Sequence, residues 1–121
     1  MALILFVDDD PLTLETMARA AHVLGHQAVA AENGEQALER IEQQVFDMIF
    51  VDIRLPDING YDLVKKIVER VPGALTPTLV FSAEPDFKAA QLAQAAGARA
   101  YIAKPIRLDD LDALIKQYTG K

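Results

Sequence analysis

Short apolar runs alternate along the chain with segments that repeat an apolar position every three or four residues. The runs have the length of buried strands, and the repeats are typical of helices with one buried face. Five strands and five helices are predicted in strict alternation. The predicted strands are Leu3–Val7, Gln27–Ala31, Met48–Val51, Thr78–Phe81 and Tyr101–Ala103.

This alternation indicates the fold class. Continuous apolar strands separated by helices favour an α/β protein with a parallel sheet covered on both faces. A length of 121 residues fits one domain, spanning residues 1–121, without a separate output domain. Whether the domain stands alone or is part of a longer protein stays open at this point.

Local signals mark several helix ends. Asp10 followed by Pro11 is typical of a helix start, because the carboxylate can cap the helix and proline suits its first position. Gly25 predicts the end of the same helix. Asn33, with Gln36 three residues later, predicts the cap of the second helix.

Other helix boundaries and buried faces follow from the same pattern. Pro72-Gly73 is predicted to close the third helix, and Pro85-Asp86 to open the fourth. Apolar periodicity places Val45, Leu92 and Leu108 on the inward faces of the second, fourth and fifth helices.

Polar side chains follow four of the predicted strands, at the point where each strand ends. They are Asp8-Asp9-Asp10, Asp52, Ser82 and Lys104. In an open α/β sheet, ligands bind beyond the carboxyl ends of the strands. Carboxylates brought together there repel one another unless a proton or a cation is present, and Mg²⁺ prefers such oxygen ligands. Asp52 could then attack a phosphoryl donor and form an aspartyl phosphate.

Composition excludes several other classes of function. The net charge of −6 argues against direct binding to nucleic acid or to an anionic membrane surface. The absence of cysteine excludes disulfides and thiol chemistry. No run approaches the ~20 apolar residues of a membrane span. We expect a cytoplasmic protein.

Four motifs at characteristic spacing carry a family resemblance along the whole chain. They are Val7-Asp8-Asp9-Asp10, Val51-Asp52 through Asn59-Gly60, Phe81-Ser82-Ala83, and Gly97-Ala98 with Tyr101 and Lys104-Pro105. Together they resemble the receiver domain of two-component response regulators. The resemblance implies a doubly wound (βα)5 sandwich of the flavodoxin-like type, with a five-stranded parallel sheet of order 2-1-3-4-5.

The resemblance also implies a phosphorylation site. Asp52 would be the phosphoacceptor, receiving its phosphoryl group from a histidine kinase or a phosphotransfer protein. Asp8, Asp9, Asp52 and the backbone carbonyl of Arg54 would hold Mg²⁺, with Mn²⁺ as a possible substitute. Lys104 would neutralise a phosphoryl oxygen. Such a domain catalyses its own phosphorylation and dephosphorylation but is not a turnover enzyme.

A switch and a tuning pair are implied as well. Ser82 would contact the phosphoryl group and contribute to catalysis. It would act as a switch together with Tyr101, which reshapes the face of the fourth helix, fifth strand and fifth helix for a downstream partner or a fused effector domain. Arg54 and Glu84 would tune the lifetime of the phosphoryl group by closing over it. Neither the cognate kinase, the output target nor the oligomeric state can be read from the sequence.

Two other functions compete with this interpretation. Asp8-Asp9-Asp10 can be read as the Asp-x-Asp of a haloacid-dehalogenase-type phosphohydrolase, but Leu12 departs from that motif and Asp52 is left unexplained. A degenerate receiver could instead act as an interaction module without phosphorylation. Intact Asp52, Ser82 and Lys104 argue against that alternative.

Several of these residues also have plain structural interpretations. Asp10 could serve only as a helix cap, and Asp57 and Asn59-Gly60 are expected to be turn and cap residues rather than ligands. Tyr101 could be a static core aromatic residue. His22 and His26 flank the end of the first helix, and a phosphate-accepting role is not expected for either.

Overall fold

The computed structural model describes residues 1–71, 76–83 and 88–121. Strands and helices alternate strictly through these residues, as predicted. They are β1 (Leu3–Val7), α1 (Pro11–Val23), β2 (Gln27–Ala31), α2 (Gly34–Gln43), β3 (Met48–Asp52), α3 (Gly60–Arg70), β4 (Thr78–Ser82), α4 (Ala89–Ala96), β5 (Ala100–Ala103) and α5 (Leu108–Thr119). Strand bounds agree with the predicted ones to within one residue.

The five strands form one parallel sheet in the order β2-β1-β3-β4-β5, which confirms the predicted fold. β1 pairs with β2 on one side and with β3 on the other. The strand order therefore reverses at β1, and the crevice between the carboxyl ends of β1 and β3 is where this fold class binds its ligands.

Successive side chains of the inner strands point to opposite faces of the sheet and build two cores. Leu5 and Val7 join the core beneath α2, α3 and α4. Ile4 and Phe6 join the core beneath α1 and α5. In that second core, the Phe6 ring stacks on Phe50 with centroids 5.3 Å apart. Every residue of β3 and β4 is buried, so the strands that carry Asp52 and Ser82 are held from both faces.

Helix starts follow the capping signals in the sequence. Asp10 is the N-cap of α1, with Pro11 in the first turn. The Asn33 side chain caps α2 by accepting a 2.8 Å hydrogen bond from the Gln36 N–H. The Gln36 side chain in turn accepts a hydrogen bond from the backbone N–H of Glu32. Gly25 follows α1 with φ +87°, the left-handed conformation that glycine adopts most easily.

Three positions predicted to face inward are exposed instead. Val45 is 88 % exposed because α2 ends at Gln43, so the helical period no longer applies to it. Leu92 is 48 % exposed; at about 100° per residue it lies at the margin of the stripe that α4 buries. Leu108, 44 % exposed, is the first residue of α5.

Some predicted features lie outside the described residues. These are the closure of the third helix at Pro72-Gly73, the opening of the fourth at Pro85-Asp86, and the tuning residue Glu84. Among the helices that the structure describes, none combines the length and the apolar character needed to cross a membrane.

Candidate functional site

The parallel register brings the predicted site residues to one edge of the sheet. Val7 lies opposite Val51, so Asp8 and Asp52, the next residues in each chain segment, become neighbours. Ser82, the last residue of β4, lies opposite Ala103, the last residue of β5. Lys104, the next residue, therefore lies at the same edge of the sheet. The site is therefore a direct consequence of strand ends that coincide.

Three carboxylates converge at this edge. One oxygen from each of Asp8, Asp9 and Asp52 lies within 4.8 Å of the others. Asp8 and Asp52 are buried, at 1 % and 6 % exposure, whereas Asp9 is exposed. Three negative charges face the single ammonium of Lys104, and hard oxygen donors with an excess of negative charge suit Mg²⁺ or Mn²⁺. The residues present therefore fit the implied ion.

Lys104 is held by two acids and one aromatic ring. Its Nζ lies 2.5 Å from an oxygen of Asp8 and 3.5 Å from an oxygen of Asp52. It also lies 4.5 Å from the centroid of the Phe81 ring, a cation–π contact that sequence reasoning missed. The contact follows from the sheet register: Phe81 pairs with Ile102, and Lys104, two residues later, falls on the same face as the ring.

The electrostatics of the site act on Asp52. Burial raises the pKa of the Asp52 carboxyl above its ordinary value, and the neighbouring charge of Asp8 raises it further. Lys104 and a hydrogen bond from the Arg54 backbone N–H oppose this rise. A second positive charge at the site would favour ionised Asp52 in the same way as Lys104 does.

Ser82 and Tyr101 lie on the neighbouring strands β4 and β5. Ser82 is buried, and its carbonyl accepts a 2.8 Å hydrogen bond from the Lys104 backbone N–H. Tyr101 is half-buried opposite Val80 and packs against the core beneath α2, α3 and α4. The roles of both residues as switches stay a prediction.

Within the connection between β3 and α3, residues 54–59 form a loop that is tied to α2 by its own acid. Arg54 and Asn59 form an isolated antiparallel bridge at the base of this loop. At its tip, the Asp57 carboxylate accepts hydrogen bonds from the backbone N–H groups of Gly34 (2.8 Å) and Glu35 (3.0 Å). Asp57 is thus a cap, as expected, but of a helix that begins 23 residues earlier in the chain.

The start of α3 is packed against the backbone of the proposed phosphoacceptor. The Gly60 N–H donates a 2.7 Å hydrogen bond to the Ile53 carbonyl. A Cβ added at Gly60 would overlap the carbonyl of Asp52 and the Cα of Ile53. The Asn59 side chain caps α3 by accepting from the Tyr61 N–H, which confirms its expected role. Glycine is therefore needed at residue 60 for the close approach.

Asp10 and His26 have structural partners. The two carboxylate oxygens of Asp10 accept from the Leu12 N–H and the Thr13 hydroxyl, so this residue caps α1. Buried His26 accepts a 2.9 Å hydrogen bond from the Ala2 N–H through Nδ1 and secures the start of β1.

Comparison with known proteins identifies the family. The response regulator receiver domain family matches residues 4–116. The DNA-binding transcriptional regulator NtrC of Escherichia coli is 33 % identical over 111 residues, which are 92 % of this chain and 23 % of that protein. The transcriptional regulatory protein CrdR of Helicobacter pylori is 31 % identical over 115 residues, 95 % of this chain and 54 % of that protein.

A solved structure extends the similarity to three dimensions. The CheY-like response regulator receiver domain protein of Methanospirillum hungatei JF-1 has a TM-score of 0.91 and 29 % identity, covering 99 % of this chain and 94 % of that one. This chain spans only part of the two curated relatives, 54 % of CrdR and 23 % of NtrC. On sequence, fold and site together, the chain belongs to the family of response regulator receiver domains of two-component signalling systems.

Proposed function

We propose that this receiver domain accepts a phosphoryl group on Asp52 from the phosphohistidine of a histidine kinase or phosphotransfer protein, in a Mg²⁺-dependent reaction. One observation carries the proposal: the buried Asp52 carboxylate shares its crevice with Asp8 and Asp9 and lies 3.5 Å from the ammonium of Lys104. Receiver domains use Mg²⁺ held by acidic residues, and this cluster provides them.

The chemistry asked of the protein is positioning and charge neutralisation. A carboxylate oxygen of Asp52 attacks phosphorus; the new O–P bond forms as the P–N bond breaks, and the departing imidazole nitrogen keeps the electron pair. Once ionised, the carboxylate needs no general base. Lys104 would neutralise one phosphoryl oxygen, and the Ser82 hydroxyl would donate a hydrogen bond to another.

The metal site follows from the same residues. Asp8, Asp9 and Asp52, with the backbone carbonyl of Arg54, would hold Mg²⁺ or Mn²⁺. The bound ion supplies neutralisation of the negative charge that the phosphoryl group brings into an already acidic crevice. Water later hydrolyses the aspartyl phosphate, and this hydrolysis ends the signal. In this proposal the domain is not a turnover enzyme.

The output would be a change in shape and partner. Ser82 and Tyr101 are proposed to reorient on phosphorylation and alter the α4-β5-α5 face, which then binds a downstream protein or a fused effector domain.

Arg54 and Glu84 are proposed to close over the phosphoryl group and slow its hydrolysis. An unchanged phosphoryl half-life in both Arg54→Ala and Glu84→Ala would refute this tuning role. We propose a cytoplasmic location, with no direct contact to nucleic acid or membrane, and residues 1–121 as a single domain.

Intact mass spectrometry after incubation with acetyl phosphate tests the proposal. A phosphoryl adduct is expected with Mg²⁺ present, and it should be lost on chelation and in Asp52→Asn. If no adduct forms, and the folded protein also fails to bind beryllofluoride, the domain is an interaction module that works without phosphorylation. Steady release of phosphate from a phosphomonoester would instead favour a hydrolase.

A further inference from the structure

We propose that Asp57 is a positioning residue for the Mg²⁺ site, acting through the 54–59 loop that it fastens to the N-terminus of α2. This inference rests on the proposed function. It assigns a role to an exposed side chain that lies outside the acid cluster and accepts its hydrogen bonds from α2.

The loop that carries Asp57 is short and closed at its base. The bridge between Arg54 and Asn59 closes its base, so that only four residues lie between the two bridging positions. Asp57 lies at the tip of this short segment. Because so few residues separate the tip of the loop from its base, a displacement of the tip should also move Arg54.

The base of the loop contacts the Asp52 carboxylate. The Arg54 N–H donates a hydrogen bond to the Asp52 carboxylate, and the Arg54 carbonyl is the proposed backbone ligand of the ion. On the other side, the Gly60 N–H is bonded to the Ile53 carbonyl. The backbone that leads into the loop is therefore part of the site itself.

The contact between Asp57 and the N-terminus of α2 is firm. Both oxygens of Asp57 are used, one on Gly34 and one on Glu35, and the charge lies at the positive end of the α2 dipole. The anchor point is itself fixed, because Gly34 is buried and a Cβ there would overlap the side chain of Ile58. A charge-assisted, two-point contact onto a buried helix end restrains the loop more than a flexible surface contact would.

The consequence is a coupling between ion binding and the α2 contact. If the contact helps to hold the Arg54 carbonyl in place, the ion binds more weakly without it. Coupling of this kind is reciprocal, so the bound ion must also strengthen the bonds from Gly34 and Glu35 to Asp57. A residue that only stabilised the fold would not respond to the ion in this way.

The test compares two variants that each remove one cap from the same helix end. Asp57→Ala removes the two hydrogen bonds between the loop and α2, whereas Asn33→Ala removes the cap within α2 and leaves the loop untouched. Mg²⁺ is titrated into the wild-type protein and both variants, with affinity read from amide chemical shifts. Hydrogen exchange of the Gly34 and Glu35 amides is measured with and without Mg²⁺.

We expect Asp57→Ala to bind Mg²⁺ about tenfold more weakly, as when a group that supports a metal ligand is lost. Asn33→Ala should keep the wild-type affinity, and Mg²⁺ should slow exchange of both amides in the wild type. The inference is overturned if Asp57→Ala binds Mg²⁺ with unchanged affinity, or if Asn33→Ala weakens binding equally. In either case, a wild type that is phosphorylated and binds Mg²⁺ leaves the proposed function standing. A wild type that binds no Mg²⁺ overturns both.

Discussion

Lys104 lies closer to Asp8 than to Asp52, with its Nζ 2.5 Å from the first carboxylate and 3.5 Å from the second. The acid that is almost fully buried thus has the nearer cation, and the proposed phosphoacceptor has the more distant one. This division leaves Asp52 available to a phosphoryl donor while Asp8 keeps the counter-charge that its burial requires.

Removal of the lysine charge is expected to destabilise the fold. Lys104→Met leaves buried Asp8 unpaired beside two other carboxylates, so the free energy of unfolding in urea should fall by about 3 kcal/mol. The double variant with Asp8→Asn should recover part of that loss, because the Asp8 charge is gone and the Asp52 carboxylate alone is left without its cation.

Lys116→Met serves as the control for that experiment. Lys116 and Asp112 form an exposed ion pair one helical turn apart, and its loss should change stability by less than about 0.5 kcal/mol. If Lys104→Met were as mild as this control, the Lys104–Asp8 pair would not hold the site together.

Mg²⁺ should stabilise the protein through the acid cluster. At ten times the dissociation constant, mass action predicts about 1.4 kcal/mol of added stability and a corresponding rise in Tm. Asp9→Ala should abolish most of this rise. Asp10→Ala, which removes only the α1 cap, should lower Tm but keep the response to Mg²⁺; loss of the response there would place Asp10 among the ligands.

The Asp57 contact should make stability depend on pH. Its hydrogen bond from the Gly34 N–H, reinforced by that from Glu35, holds the pKa of the Asp57 carboxyl below its ordinary value. The stabilisation is therefore complete above the unfolded pKa of about 4 and is lost as the pH falls through the lower folded value. Asp57→Asn should be less stable than wild type by about 1 kcal/mol at pH 7.

Denaturation at several pH values checks this sign. The difference between wild type and Asp57→Asn should shrink as the pH falls below about 4. Asn33→Ala provides the comparison, because the lost cap does not titrate and its cost should stay constant with pH. A difference for Asp57→Asn that stayed constant as well would show that the carboxylate charge contributes nothing to the contact.

Gly60→Ala should disturb the site as well as the fold. Its Cβ would meet the backbone of Asp52, which cannot move aside as a flexible side chain can, so we expect a loss of about 2 kcal/mol and a lower phosphorylation yield. Gly25→Ala provides the contrast: residue 25 has a positive φ but open space around it, so backbone strain of about 1 kcal/mol should leave phosphorylation unchanged. Equal yields in the two variants would contradict the close approach.

Periodicity and capping residues were sufficient to place every strand and most helix starts. The α1 and α2 caps at Asp10 and Asn33 were predicted because they depend on atoms two or three residues away. The same local rules failed for Val45, since the end of α2 is not marked by a glycine or proline. They also failed for Leu92, where burial depends on which neighbour covers the margin of α4.

The same distinction between local and long-range contacts decides which features of the site could be predicted. The sequence was enough to bring Asp8, Asp52, Ser82 and Lys104 to one edge, because strands that run in parallel end together and each of these residues marks such an end. Only the tertiary structure decided that Lys104 favours Asp8, that Phe81 supports it, and that Asp57 reaches α2. Those relationships depend on distances between segments far apart in the chain, set by sheet register and helix packing, for which no local pattern of residues carries a signal.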